Sequence, residues 1–330
     1  MRVLIVGSDN PWRMEAAVER ALRRAGHETL IVDDRRMKRL IGRRLTQRRV
    51  LRSATRFSPD FVFLSKCLAL EPDTVASVVD RKPNAMWYHD PQWHADLDRP
   101  DIAHIATIGR LARIFFVTGF ESEWRRNGLT AAFLPAAGDS AIHPVPPNAA
   151  FESEVAFIGT GYDEQRARLL LQVAARHKLR VWGPGWEQWQ AALNWNGRSV
   201  EGSDFAAVCS SASITLGINP ARAAGGVNYT SDRTWMVMLA GGFYLAQHTP
   251  GVAAMLCEGE HCAFYDDAAS CLDQCALYLA DPASRERMRV AGESFVRANH
   301  TYDQRIANLL EGREYVNPLG VSAARPRASL

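Results

Sequence analysis

Polar residues that can do acid–base chemistry follow several short apolar runs in this 330-residue chain. The run "MWY" ends in His89 and Asp90, and "RVLIV" ends in a glycine turn that carries Asp9. We predict that His89 accepts a proton or donates a hydrogen bond to a substrate hydroxyl, with Asp90 orienting or replacing it. Asp9 is a second candidate base. The alternatives are that Asp90 caps the next helix and that Asp9 stabilises its turn.

Anion-binding chemistry is indicated at two predicted helix starts. In "YTSDRTWMVMLAGG", Ser231 or Asp232 can cap a helix, and Arg233 lies at its positive end, where a cation is unfavourable unless an anion joins it. In "FIGTGYDEQR", a glycine turn that would offer free backbone amides to a phosphate precedes a helix start that carries Arg166. Neither G-x-G-x-x-G nor G-K-[ST] occurs, so a plain strand-to-helix turn is the alternative. Together the two starts are suited to a diphosphate.

Other strand ends and turns of the same half are predicted to complete this ligand site. Parallel α/β sheets bind ligands at the carboxyl ends of their strands. The candidates are Gly159, Thr160, Gly161, Gly183, Trp186, Asn219, Thr249 and Gly251. Trp182, Trp186, Trp189 and Trp195 surround "GPGW" and either form the wall of a base pocket or pack in the core.

The elements that position these residues alternate between short apolar strands and amphipathic helices, which predicts doubly wound α/β domains with parallel sheets. The stretch "LPAAGDSAIHPVPPNAAFESE" interrupts the alternation and is interpreted as a linker. We therefore expect two Rossmann-like domains, residues 1–140 and 141–302, facing across a cleft, with a helix and flexible tail in 303–330.

Composition favours an ordinary globular protein, with 47% hydrophobic and 23% charged residues. No apolar run is long enough for a membrane span or a signal peptide, so we expect a cytoplasmic protein, with peripheral membrane contact left open. The six cysteines are expected to be reduced. Those near His261 fit no paired zinc spacing, and we predict no metal site.

One segment concentrates the positive charge. Residues 35–56 hold ten Lys or Arg and no acidic residue, which leaves 29 basic against 36 acidic residues elsewhere. We predict an anionic partner here, either nucleic acid, a lipid-linked phosphate or an acidic glycan. The predicted contacts are Lys66, Arg43, Arg44 and Arg48. An apolar stripe runs through Leu40, Ile41, Leu45, Val50 and Leu51. A basic amphipathic helix on anionic lipid has this pattern, and a helix pair packed on its own domain is the alternative.

Long stretches of the chain resemble a known family. "GVNYTSDRTWMVMLAGGFYLAQHTPGVAAML", "HCAFYDDAASCLDQCALYLADP" and "RERMRVAGESFVRANHTYDQRIANLL" are similar to the C-terminal half of group 1 glycosyltransferases, in the branch of the spore maturation protein CgeB. "SPDFVFLSK", "MWYHDP", "LPAAGDSAIHPV" and "EVAFIGTGYDEQR" recur in that branch in this order. The resemblance implies the GT-B fold, a nucleotide sugar held mainly by the second domain, and a last helix, "YDQRIANLLEGREYV", that crosses back to the first.

The same resemblance assigns site residues. It places a histidine near the donor sugar at His89 and a phosphate-binding cation at Arg166. The family's paired glutamates fall on Asn228 and Met236, so the ribose-binding carboxylate is absent and Asp232 is the candidate replacement.

These residues favour a metal-independent glycosyltransferase, because arginines and helix starts would neutralise the diphosphate of a UDP-sugar. The acidic residues of "DPQWHADLDRPD" are not interpreted as a metal clamp. No cofactor is expected. Two further hypotheses remain: a nucleic-acid-directed protein, either a glycosyltransferase acting on modified DNA bases or a plain DNA binder, and a catalytically inactive GT-B binding protein. The oligomeric state is not indicated.

Overall fold

The computed structural model describes residues 1–90, 97–220 and 229–317, which divide into two compact units. Unit 1 contains Met1–Ala136 and Tyr302–Val316, and unit 2 is built on Ala137–Thr301. Each unit is a parallel sheet with helices connecting its strands, as the alternating pattern predicts.

Unit 1 has a six-stranded parallel sheet in its described part, in the order β2-β1-β3-β4-β5-β6. Its strands are β1 (Arg2–Val6), β2 (Glu28–Val32), β3 (Phe61–Leu64), β4 (Asn84–Tyr88), β5 (Phe115–Val117) and β6 (Ala131–Phe133). Its helices are α1 (Met14–Arg24), α2 (Asp34–Phe57), α3 (Pro72–Val79), α4 (Pro100–Gly109), α5 (Glu121–Arg126) and α13 (Tyr302–Glu311). Strands β3 and β4 are buried along their whole length because helices cover both faces of the sheet.

Unit 2 has a five-stranded parallel sheet in its described part, in the order β11-β10-β9-β7-β8. Its strands are β7 (Ser153–Ile158), β8 (Leu179–Trp182), β9 (Ala212–Gly217), β10 (Tyr244–Gln247) and β11 (Ala263–Tyr265). Its helices are α6 (Glu164–Ala174), α7 (Gln190–Leu193), α8 (Gly202–Ser211), α9 (Asp232–Leu239), α10 (Pro250–Met255), α11 (Ala268–Ala280) and α12 (Pro282–Asn299).

The last described helix, α13, belongs to unit 1, which confirms the crossing helix that the resemblance implies. The Tyr302 ring packs edge-on against Trp87 with 5.9 Å between centroids. Asp303 accepts two hydrogen bonds from Arg24, at 2.7 and 2.9 Å. Leu309 is fully buried. This apolar and ionic seam attaches the helix to the β1–α1 side of the unit.

Helix α2 is broken at Gly42, where φ is 76° and ψ is 166°, a conformation that glycine adopts without strain. The first part is tied down by Asp34, whose buried carboxyl accepts the Ala69 N–H at 2.8 Å. In the second part Thr46 and Val50 are fully buried. The break separates two helical pieces that the sequence pattern does not resolve.

Two other boundaries differ from the sequence interpretation. Strand β6 was not expected, because its three residues, "AAF", are too short to show a strand pattern. The long C-terminal helical run is two helices, since Asp281 accepts the Ser284 N–H and Pro282 begins a new helix. In the described ranges no helix is both long and apolar enough to cross a membrane.

We expect Leu309→Ala to lower the free energy of unfolding of unit 1 by about 2–5 kcal/mol, because it leaves a cavity under α13. Urea unfolding followed by tryptophan fluorescence measures the change. Leu277→Ala, at a position that is 55% exposed, is the control and should change stability by less than about 0.5 kcal/mol. Equal effects of the two variants would contradict the packing of α13.

Asp34 should make stability depend on pH. Burial, with the neighbouring charge of Asp33 adding to it, raises the pKa of Asp34 in the folded chain. The stability that this group contributes is therefore present below its unfolded pKa, about 3.9, and is lost as pH rises through the folded pKa. We expect Asp34→Asn to be more stable than the wild type at neutral pH, because the amide oxygen can still accept the Ala69 N–H.

Thermal unfolding across the acidic range checks this expectation, since the difference should vanish at low pH. Asp101→Asn is a control for which the pH dependence of stability should have the opposite sign, because a hydrogen bond from Arg99 lowers the pKa of Asp101. A stabilisation of Asp34→Asn that does not change with pH would show that its cause is not ionisation.

Candidate functional site

Each sheet has a point where the strand order reverses direction, and polar residues cluster at both points. In unit 2 the reversal lies between β7 and β9, and in unit 1 it lies between β1 and β3. Ligands of open α/β sheets bind beside such a switch point, at the carboxyl ends of the strands. The two candidate sites are described separately.

Two arginines meet at the switch point of unit 2. Arg166, on α6, donates to the Ile218 carbonyl oxygen at 2.9 Å, and Arg233, on α9, donates to the same oxygen at 3.3 Å. Both guanidinium groups lie near the Phe157 ring, 5.9 and 5.0 Å from its centroid. The structure therefore brings together the two cations that the sequence placed at separate helix starts.

Arg233 has no carboxylate within salt-bridge distance among the described residues, and its side chain is half-buried. Like charges about 4 Å apart repel by about 4 kcal/mol at an effective dielectric constant of 20. A bound anion would remove this repulsion. The pair is therefore a strong candidate for binding phosphate groups.

Two glycines allow the pair to form. A Cβ at Gly159 would lie 2.7 Å from Nη2 of Arg233 and 2.9 Å from the Phe157 ring. Gly183 has a φ of 118°, and a Cβ there would lie 2.2 Å from the Gly159 carbonyl oxygen. The close approach of the ends of β7 and β8 therefore requires glycine at 183, while glycine at 159 leaves room for the Arg233 guanidinium and the Phe157 ring.

The glycine turn does not offer the free amides expected of it. The Gly159 N–H donates to the Trp182 carbonyl and the Gly161 N–H donates to the Pro184 carbonyl, each at 2.9 Å. These donors are used to join the ends of β7 and β8. Between them, Thr160 is exposed and accepts from Arg166 through its hydroxyl at 3.3 Å.

Trp186 is fully buried, so its ring does not present a surface to a ligand. Its indole N–H donates to the Gly159 carbonyl at 2.8 Å, and its ring packs edge-on against Phe157. It packs against Phe157, the ring that both guanidinium groups approach. The exposed aromatic at this edge is Tyr162, 78% exposed beside Gly185, which the sequence reasoning missed although it follows the glycine turn directly.

The start of α9 is capped by its own side chains. The hydroxyl of Ser231 and the carboxylate of Asp232 accept the Arg233 N–H, at 3.3 and 2.8 Å. Asp232 is exposed, and Met236 one turn later is half-buried. The acidic side chain nearest to the family's ribose-binding position is therefore accessible. Asn228 lies outside the described residues.

The remaining predicted residues lie at the ends of β9 and β10. The Asn219 N–H donates to the Gln247 side chain at 3.1 Å, and the Thr249 hydroxyl accepts the Val252 N–H and so caps α10. Gly251 is buried in the first turn of that helix. These residues shape the edge of the sheet, and their polar groups are largely satisfied within it.

Three buried tyrosines beside the arginine pair were missed by sequence reasoning. Burial raises the pKa of Tyr229 to about 12, with the charge of Asp232 adding to the effect and both arginines opposing it. The Tyr265 hydroxyl donates to the Gly217 carbonyl at 2.9 Å, and Tyr244 lies against the same glycine. Each has a raised pKa through burial. Their raised pKa values keep these three hydroxyls neutral, and no motif in the sequence marks them as site residues.

Unit 1 contains a cavity of about 1030 Å³ at its own switch point. It is lined by the turn after β1, the start of α2 and the segment after β3, and it includes Asp9, Lys66 and His89. Arg13, Arg35, Lys38 and Arg39 also line it and have no carboxylate partner in the described part of the chain. The structure therefore gathers three of the predicted residues, Asp9, Lys66 and His89, around one basic cavity.

Within this cavity, the predicted acid–base pair is arranged differently from the expectation. Asp90 forms a salt bridge with Lys66 at 2.6 Å. Nδ1 of His89 is buried and neither accepts nor donates a hydrogen bond among the described residues. Asp90 therefore does not orient the imidazole through Nδ1, and Lys66 is partly neutralised.

Asp9 is also paired, at 2.7 Å with Arg36. The carboxylate that sequence reasoning missed is Glu15, which is 6% exposed, lines the cavity and accepts the Ser65 hydroxyl at 2.6 Å. A Cβ at Gly7 would lie 2.8 Å from Cγ of Glu15. From the sequence alone, Glu15 is an ordinary acidic residue at the start of a helix. Its position in the wall of the cavity follows only from the fold.

Of the predicted acceptor-binding arginines, Arg43 pairs with Glu71, while Arg44 and Arg48 are exposed. No group of three or more metal-ligating side chains gathers anywhere in residues 1–90, 97–220 or 229–317. The six cysteines are free thiols, and five of them are buried.

Comparison with protein families matches residues 165–311, less than half of the chain, to a model described as "Glycosyl transferase-like". This range contains both arginines and α9. A comparison with curated protein sequences gives no significant match.

Solved structures match nearly the whole chain. Sucrose-phosphate synthase from Thermosynechococcus elongatus has a TM-score of 0.63 at 12% identity, over 94% of this chain and 98% of its own. HepE from Anabaena, in complex with UDP and glucose, has a TM-score of 0.65 at 11% identity, and the match covers 94% of this chain and 100% of HepE. An alpha-glucosyltransferase in complex with UDP and a 13-mer DNA containing a HMU base has a TM-score of 0.65 at 10% identity, over 94% and 99%.

At these identities the likeness establishes the fold. The two parallel-sheet units and the returning C-terminal helix match GT-B structures throughout. The chain therefore has the GT-B fold, and its second half is glycosyltransferase-like in sequence.

Proposed function

We propose that this protein transfers a sugar from a nucleoside-diphosphate donor, a UDP-sugar, to an acceptor hydroxyl. The observation that carries the proposal is the arginine pair on the Ile218 carbonyl at the switch point of unit 2. The family match over residues 165–311 supports it, and so do structural neighbours that bind UDP or UDP-glucose.

The chemistry requires such a pair. When the bond between the anomeric carbon and the diphosphate breaks, negative charge grows on the departing phosphate oxygens. Preorganised cations in a water-poor site stabilise that charge more than they stabilise the intact donor. Arg166 and Arg233 are held on one carbonyl before the ligand arrives, so they need little reorganisation. We propose that they act without a metal ion.

The nucleoside is proposed to lie on the outer edge of the same site. Tyr162 offers the exposed aromatic face for a base, and Asp232 offers the accessible carboxylate for ribose hydroxyls in place of the side chain at Met236. Tyr162 lies four residues before Arg166, and Asp232 lies directly before Arg233.

The acceptor is proposed to bind in the unit 1 cavity. The four cations without carboxylate partners there favour an acceptor that carries negative charge. His89, with its unsatisfied Nδ1, is the residue we assign to the acceptor hydroxyl or the donor sugar.

A second candidate is a glycosyltransferase that acts on DNA. It is favoured by the ten basic residues of 35–56 and by the structural neighbour solved with DNA. The third candidate is a GT-B protein that binds without turnover. It is favoured by Met236, which stands where the resemblance places a ribose-binding carboxylate. Incubation with a panel of nucleotide sugars, with and without EDTA, separates the first candidate from the third: donor hydrolysis that persists in EDTA supports the first proposal. UDP binding without any hydrolysis supports the third.

We expect Arg233→Ala to weaken UDP binding about ten- to a hundredfold, because it removes charge-assisted hydrogen bonds to phosphate. Calorimetry in EDTA measures the affinity, and uridine binding should not change, since uridine has no phosphate. Arg168→Ala, two residues after Arg166 on α6 and 71% exposed, is the matched control. Unchanged UDP affinity in Arg233→Ala would place the diphosphate elsewhere.

We expect His89→Gln to lower kcat/KM for transfer about 10²- to 10⁴-fold while leaving UDP affinity intact, because general acid–base catalysis acts on the reaction and not on the nucleotide. Initial rates with a competent acceptor give kcat/KM. His143→Gln, at an exposed position, serves as the comparison variant. A wild-type rate in His89→Gln would remove His89 from the mechanism.

A further inference from the structure

The break in α2 forms a projecting surface whose aliphatic side chains neither candidate site uses, although its first two residues, Lys38 and Arg39, also line the unit 1 cavity. Residues 38–45, "KRLIGRRL", are eight consecutive residues that are all exposed, and we name them the elbow. Its aliphatic side chains are unusually open: Leu40 is 73% exposed, Leu45 51% and Ile41 41%. Isolated exposed aliphatics are ordinary, but three on one eight-residue stretch form a patch that needs a partner.

The elbow is held out by its flanks. Before it, the Asp34 carboxyl is tied to the Ala69 N–H. After it, the buried Thr46 donates its hydroxyl to the Gly42 carbonyl at 2.8 Å, and Gln47 donates to the Ala69 carbonyl at 2.9 Å. The left-handed conformation of Gly42 turns the chain between these anchors. The apolar side chains are therefore presented by a fixed scaffold.

The elbow is also strongly cationic. It carries four Lys or Arg and no acidic residue. Arg43 pairs with Glu71, while Lys38, Arg39 and Arg44 have no carboxylate partner among the described residues. Arg35 and Arg48 extend the positive charge on either side. The patch thus combines unpaired cations with open aliphatic groups.

We propose that the elbow docks unit 1 onto an anionic lipid bilayer. Leu40, Ile41 and Leu45 would enter the boundary between headgroups and acyl chains, and the neighbouring cations would lie among lipid phosphates. The long stems of Lys and Arg suit this depth, because they keep their charge at the headgroups while their methylenes lie in apolar surroundings.

The aliphatic side chains decide between lipid and nucleic acid. A DNA or RNA backbone attracts the same cations, but single-stranded sites stack bases on aromatic rings and duplex sites use polar contacts. The elbow has no aromatic residue. If the elbow bound a nucleic-acid backbone, its three exposed aliphatic side chains would stay in water. If it bound a bilayer, the same side chains would be removed from water, which is favourable.

Vesicle flotation tests the proposal with the whole protein and no donor, so its outcome is independent of the proposed glycosyl transfer. Wild-type protein should float with vesicles of phosphatidylcholine and phosphatidylglycerol, and should stay in solution with vesicles of phosphatidylcholine alone. The combined Leu40→Ser, Ile41→Ser and Leu45→Ser variant should partition at least about tenfold less. Leu277 lies on α11 and is 55% exposed, within the range of the three elbow side chains, so the Leu277→Ser variant should partition as the wild type does.

Charge is tested separately. The Arg39→Gln and Arg44→Gln pair should also lower partitioning about tenfold or more, while Arg176→Gln and Lys178→Gln, exposed in unit 2, should not. Thermal unfolding of every variant should match the wild type, because none of the replaced side chains is buried.

Several outcomes overturn the proposal. They are no flotation of the wild type with anionic vesicles, equal flotation with neutral vesicles, or wild-type flotation of the triple serine variant. Tight binding of duplex DNA that depends on Arg39 and Arg44, without vesicle binding, would instead identify the elbow as a nucleic-acid surface.

Discussion

The carbonyl of Ile218 is the contact on which the candidate chemistry of this chain depends. It accepts from Arg166 and from Arg233 at the switch point of unit 2, and so holds two positive charges together before any ligand binds. Around it, Gly159 and Gly183 leave room for close approach of the strand ends. The surrounding tyrosines stay neutral because burial raises their pKa values. The local structure thus surrounds the two positive charges with neutral tyrosine side chains.

The two units share a strand order but differ in how they treat charge at the same topological position. At the unit 1 switch point Asp9 is neutralised by Arg36, and Glu15 is buried against Ser65. The cations that remain line a wide cavity. At the unit 2 switch point the cations are concentrated on one oxygen atom. A broad basic cavity suits a variable anionic molecule, whereas a preorganised pair suits a compact diphosphate.

Local patterns predicted much of this site. Arg233 was singled out because a cation at a helix N-terminus opposes the helix dipole, and Arg166 because its helix start follows a glycine turn. Both are properties of adjacent residues. The free amides of the glycine turn were predicted wrongly, because Gly159 and Gly161 donate to carbonyls more than twenty residues away. Trp186 packs in the core, which is one of the two alternatives that the sequence left open, and the role of Glu15 was missed. Sequence does not settle either role, because burial depends on which element packs over a residue.

The sequence by itself determined the two parallel sheets, the helix starts and the basic segment, because apolar periodicity, capping and charge are encoded over a few residues. Only the tertiary structure decided which charges meet. The pairing of Asp90 with Lys66, the shared carbonyl at Ile218 and the exposure of Leu40 depend on side chains brought together from distant segments. No local pattern specifies such contacts, because their distances are set by how the strands order themselves within each sheet.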